Sequence, residues 1–199
     1  MKPLYLASQS PRRLQLLTQL GLTPLLMPPQ AHEDAEALEA VLPGEAALTY
    51  VQRVTALKLG ASLRRMRQLD LPPGVVLCAD TTVALGRHIL GKPDNAAHAL
   101  EMLQSLQGST HRVLTCVAVG NLRRQAQCLN ISTVSMAPVS AARLRAYVAT
   151  GEPMGKAGAY AIQGQAAGFI ERIRGSHSGI MGLPLYETAG LLRDFGFKV

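Results

Sequence analysis

Asp80 sits in VVLCADTTVAL, a run that otherwise reads as a buried strand over residues 75–85. Ionised carboxylates are rarely buried unless they are paired or bind a metal. Two roles therefore compete for Asp80. It is either half of an internal ion pair, or a metal ligand or general base projecting from a strand end into a cleft. Thr81 and Thr82 follow at once and make that strand end polar.

A second stretch carries charge of the opposite sign. In SQSPRRLQLL, Ser10 suits an N-cap and Pro11 the first helical position. Arg12 and Arg13 then fall in the first turn, where a cation is disfavoured by the helix dipole. They either extend into solvent or face an anion. A strand, a short polar loop and the free N–H groups of a helix start make a phosphate site.

The chain has only five lysines against fifteen arginines, and Lys58, Lys92 and Lys156 each lie beside small residues in apolar or glycine-rich surroundings. Lys92 stands between Gly91 and Pro93 in ILGKPDN, a stiffened turn that a ligand can approach closely. GEPMGKAGAYAIQG reads as a surface loop or as a strand, AYAIQG, with close backbone contact. Gln163 has both a donor and an acceptor, which suits the edge of a nucleobase.

The elements that must position these groups alternate between strand and helix. A strand over Leu4–Ala7 precedes the helix that ends at Gly21, and an extended stretch then leads into the acidic run of Glu33, Asp34, Glu36 and Glu39. A helix is predicted over 43–68, with the basic cluster RRMR at 64–67 on its solvated end. The strand at 75–85 is followed by a short return strand, GRHIL, and by a helix capped by Asp94. HRVLTCVAVG and QAQCLNISTVSM make a strand pair, Ser140 caps the next helix, GFIERIRG is a strand, and Pro184 starts the last helix. Hairpins interleaved with helices predict an α/β fold with a mixed sheet and flanking helices, in a single domain over 1–199.

At 199 residues and 48% hydrophobic content the chain can build a sizeable core. No apolar run approaches the roughly 18 residues of a membrane span, and no signal peptide is evident, so a cytoplasmic protein with no membrane partner is expected. Cys78, Cys116 and Cys128 read as reduced core thiols. The net charge of +7 fits a polyanionic partner, but 4% aromatics and no tryptophan give few stacking platforms, so nucleic acid is not expected. Walker A and GxGxxG loops are absent, as are paired-histidine metal motifs.

Taken in order, LASQSPRRLQLL, CADTTVAL with GKP after it, and EPMGKAGAYAIQG followed by GLPLYET resemble the Maf family of nucleoside triphosphate pyrophosphatases across nearly the whole chain. The resemblance implies two lobes around a cleft, as in the inosine-triphosphate pyrophosphatases. It also implies hydrolysis of a nucleoside triphosphate to the monophosphate and pyrophosphate, a divalent cation (Mg2+ or Mn2+), and a homodimer. The KAGAYAIQG form is similar to the branch acting on dTTP and UTP. The alternatives are a 7-methyl-GTP or modified-nucleotide pyrophosphatase, or a nucleotide-sensing regulator of septum formation.

Carried onto this sequence, Asp80 matches the catalytic carboxylate and a metal ligand, with Glu33 as the second acidic position. Ser10, Arg12, Arg13, Lys58 and Lys92 match phosphate-binding positions. Arg12, Thr81 and Gln163 match positions tied to base selectivity, and Lys156 is a further pocket residue. Two positions depart from the family's pattern. Gly155 stands where an acidic or amide residue usually precedes KAGAY, and His177 where a tyrosine is usual.

Overall fold

A computed structural model describes residues 2–30, 33–34 and 37–199. Seven strands form one mixed sheet: β1 (Leu4–Leu6), β2 (Leu25–Leu26), β3 (Val75–Leu85), β4 (His88–Leu90), β5 (Thr110–Gly120), β6 (Gln125–Met136) and β7 (Ile170–Arg174). The order is β2-β1-β3-β5-β6-β7, with β4 also paired to β3. β1 runs parallel to both of its neighbours, and all other pairings are antiparallel. The mixed α/β expectation is met.

Strand alternation decides which residue faces which layer. Helix α2 (Ala47–Gln68) covers one face, where its Leu59, Leu63 and Met66 meet Val76 and Cys78 of β3. The opposite face carries α1 (Pro11–Gln19) and α6 (Leu185–Asp194) around Leu77, Ala79 and Val117. Farther along that face lie α3 (Ala96–Leu106), α4 (Ala141–Ala149) and α5 (His177–Met181), packed with Val83, Val113 and Val134. Asp80 thus turns toward α2, and its neighbour Thr81 turns the other way.

One edge of β3 is interrupted. β1 pairs with residues 75–77 and β4 with 83–85, so no described strand pairs with residues 78–82 on that side. Asp80 and Thr81 lie in this gap.

Several local expectations are corrected. α2 begins at Ala47 rather than Pro43, because Gly44 takes φ +72 and breaks the helical path. The cap of α3 is Asn95, whose side chain accepts the His98 N–H at 2.9 Å, and Asp94 instead contacts the His98 ring. The stretch AYAIQG is no strand. It begins in a 3-10 turn over Ala157–Ala159, with Gly158 at φ +69 and Ala159 at φ +58, and such left-handed residues cannot continue an extended chain. Gly158 is required there for space as well, since a Cβ would come within 2.9 Å of Val83. Ser10 occupies the N-cap position of α1, but its hydroxyl makes no cap bond.

The residues 64–67 are not simply a solvated helix end. Arg65 is 3% exposed, because it follows Lys58 and Ser62 at i+7 and i+3 on the helix face that turns toward the cleft. Of the acidic run, Glu36 lies outside the described residues.

Candidate active site

On the α2 side of the gap, Asp80 Oδ1 accepts a hydrogen bond from Lys58 Nζ at 2.6 Å, and Oδ2 accepts one from Thr82 Oγ1 at 3.4 Å. Lys58 also donates to Glu39 Oε1 at 2.7 Å, and Lys92 donates to Glu39 Oε2 at 3.0 Å. Glu39 comes from a 3-10 turn (Ala37–Glu39) ahead of α2, and Lys92 from the turn after β4. Burial would raise the Glu39 carboxyl, but Lys58 and Lys92 outweigh it and hold the group below its ordinary range. Both competing roles of Asp80 therefore meet in one place: it is ion-paired, and the pair stands at a cleft.

Glu33 lines the same cleft, with its oxygens on Arg65 Nε and Nη2 at 2.6 and 2.5 Å. Arg65 in turn donates to the Met27 carbonyl at 3.1 Å. The acidic side chain that shares a lysine with Asp80 is Glu39.

The β1–α1 loop forms the next wall. Arg12 and Arg13 are held beside the cleft and do not trail into solvent, and burial pulls both guanidiniums down from their ordinary pKa. For Arg13 the charge of Asp80 works against that fall. Arg13 Nε donates to the Gly182 carbonyl at 2.9 Å and Nη1 to Ser8 Oγ at 3.1 Å, which ties this loop to the turn between α5 and α6.

Opposite stands the loop before the Ala157–Ala159 turn. Lys156 Nζ donates to the carbonyls of Glu152 and Met154. Its pKa is lowered by burial first and by Arg12 second. Gly155 takes φ +70, and a Cβ added to it would meet no atom within 4 Å, so its departure from the family pattern leaves open space in the cleft wall. His177 is exposed at the first position of α5.

Two adjoining spaces result. The larger, about 560 Å³, contains the Glu39–Lys58–Lys92 cluster, and the smaller, about 140 Å³, is bordered by Asp80 and lies against Thr81, Val83, Val113 and Tyr160. Ser10, Arg12, Arg13, Gly155 and Lys156 border both. Gln163 borders the smaller space. A path from charged cleft to small pocket through the interrupted sheet edge suits a ligand with a polyanionic tail and a compact polar ring.

The sequence of this chain matches the family described as Maf-like protein over residues 3–195. The chain belongs to the Maf family. Among its Maf relatives is a protein of Albidiferax ferrireducens named dTTP/UTP pyrophosphatase, 59% identical over 196 residues, covering 98% of each chain. Proteins of the same name from Polaromonas sp. and Cupriavidus metallidurans are each 60% identical, over 98% and 97% of this chain and 96% of theirs. A HAM1 protein from Coxiella burnetii has a similar fold, with a TM-score of 0.50 and 14% identity over 98% of this chain and all of that one. The residues expected at the site from the resemblance are thus assembled around these two adjoining spaces, while Glu39 and Arg65 join them only in the structure.

Proposed function

We propose that this Maf protein hydrolyses nucleoside triphosphates, preferably dTTP and UTP, to the monophosphate and pyrophosphate. The observation that carries this reading is a cationic cleft that shares the walls Arg12, Arg13 and Lys156 with a small pocket bearing Asp80, Thr81 and Gln163. A triphosphate brings about four negative charges, and neutralising charge on the leaving pyrophosphate lowers the barrier. Arg12, Arg13, Lys58 and Lys92 line up for that task, with the Ser10 hydroxyl and the start of α1 beside them. Water attacks the α-phosphorus as the bond to the bridging oxygen breaks and pyrophosphate leaves. Asp80 holds or deprotonates that water, and Lys58 keeps its carboxylate oriented.

Glu39 occupies Lys58 and Lys92 in the free protein, so the incoming phosphates compete with it for both cations. The donor set suits a hard divalent cation: Mg2+ is commonly held by one or two carboxylates plus substrate phosphates, and Asp80 with Glu39 supplies the carboxylates. When bound, the cation neutralises phosphate charge. Glu33 would first have to release Arg65 to serve as a ligand.

A reducing, cytoplasmic setting fits the three unpaired thiols, with burial pushing Cys78 up to about 12 and Cys116 to about 11. A second copy of the chain is the partner we assign to the β2 edge, where Leu25 and Leu26 are both more than half exposed. The single domain spans 1–199 on this reading.

The test is pyrophosphate release with Mg2+ or Mn2+ from dTTP, UTP, CTP, ATP, GTP and 7-methyl-GTP. Rapid release from dTTP and UTP alone is expected. Preference for 7-methyl-GTP would overturn the base assignment, and tight binding without release would make the protein a sensor.

A further inference from the structure

Thr115 of β5 is fully buried directly across from Thr81, its partner in the strand register. The two hydroxyl oxygens are 3.0 Å apart, and by distance alone either could donate. The surroundings remove that ambiguity. Thr115 Oγ1 lies 2.7 Å from the carbonyl oxygen of Gly179, which can only accept. A threonine hydroxyl has one proton. Thr115 must spend it on Gly179, so the bond between the threonines runs from Thr81 to Thr115.

The consequence falls on the small pocket. With its proton committed inward, Thr81 can offer a ligand only lone pairs. Donors in the pocket come from its other side chains: Arg12 can only donate, and the Gln163 amide has N–H groups as well as its carbonyl, while Asp80 at the border is a further acceptor. We propose that Thr115 is a specificity-determining positioning residue, which makes Thr81 an acceptor opposite the N3–H of a uracil or thymine ring. This rests on the dTTP/UTP reading above and explains how that choice is made. Uracil and thymine present acceptor, donor, acceptor across O4, N3 and O2. Cytosine presents a lone pair at N3, where Thr81 also has only lone pairs. A buried acceptor facing another acceptor loses its hydrogen bond and stays desolvated. Thr115 touches no substrate atom and acts through Thr81 alone.

The experiment compares kcat/KM for UTP and CTP in the wild type, Thr115→Val and Thr115→Ser, using the full chain. Valine keeps the shape of threonine and removes the relay, so the UTP-over-CTP ratio should fall by roughly tenfold or more. Serine keeps the hydroxyl and should restore the ratio. A merely structural role would lower both substrates together, and an unchanged ratio in an active Thr115→Val protein overturns the proposal. Should Thr115→Val not fold, wild-type turnover of 3-methyl-UTP decides, because this substrate has no N3 proton. Loss of at least roughly tenfold against UTP supports the proposal, and equal turnover overturns it. Failure of the underlying reading is separately visible, since the wild type would then not favour UTP over CTP before any substitution is made.

Discussion

The two faces of the central strand β3 divide the work between them. Asp80 faces α2 and joins a cluster of full charges, Lys58, Glu39 and Lys92, that compensate one another at 2.6–3.0 Å. Thr81, one residue later, faces a space walled by Val83, Val113 and Tyr160, where hydroxyls and the Gln163 amide meet charged groups, Asp80, Arg12, Arg13 and Lys156, that border it from the cleft side. The charged side suits charge neutralisation on a reacting phosphate. The other suits recognition by the direction of hydrogen bonds. A period of two residues along one strand turns the ion-paired carboxylate and the threonine to opposite faces.

The largest effect expected from breaking this division is Asp80→Asn. It should cut pyrophosphate release by about 10²–10³-fold with every nucleotide and leave the order of preference among bases unchanged. A steady-state panel would show this, and a reordered preference would mean that the faces are not separate. Glu39→Gln should come next, with a loss of about tenfold at saturating Mg2+ and a rise in the Mg2+ needed for half-maximal rate. Titrating the metal at fixed UTP measures that shift.

On the recognition face the sharpest probe is acid. Burial pushes the His111 imidazole down to about 4. Its Nε2 shares a hydrogen bond with the Tyr160 hydroxyl at 2.8 Å, while Nδ1 has no partner among the described residues. An unfolded histidine titrates near 6.5, so between about pH 6.5 and 4 the unfolded chain binds a proton that the fold refuses. Stability should therefore be intact above that window and fall as pH drops through it, by up to about 3 kcal/mol. Urea midpoints at pH 7 and pH 4.5 test the sign, and His111→Phe should flatten the slope. Gly158→Ala should do less, costing about 1–3 kcal/mol, because its Cβ meets Val83 at 2.9 Å and φ is +69. Its effect on turnover should fall on base preference more than on the rate with UTP.

Legibility in the sequence follows the same division. Asp80 is visible because a carboxylate is anomalous in an apolar strand, and the strand bounds, the β5–β6 pair and the last helix are equally readable from local pattern. Arg65 is readable in principle, since positions 58, 62 and 65 share a helical face, but its basic neighbours suggest solvent. Glu39 lies in an acidic run without periodicity, and only the folded path of the loop before α2 brings it to Lys58. Thr115 needs the register of β3 against β5, which no single-strand pattern contains. The resemblance of separate motifs to one family supplies what local physics cannot.

The gap along residues 78–82 of β3 has a consequence unrelated to turnover. Unpaired backbone at a sheet edge is a template on which an extended segment of another chain can anneal if it can be reached, but here residues 78–82 are buried apart from the half-buried Thr81. Here that stretch is overlooked by Lys58, Lys92, Arg12 and Arg13, and a strand laid along it would have to strip those charges of water. The cations that line the cleft thereby also guard the opening against polypeptide.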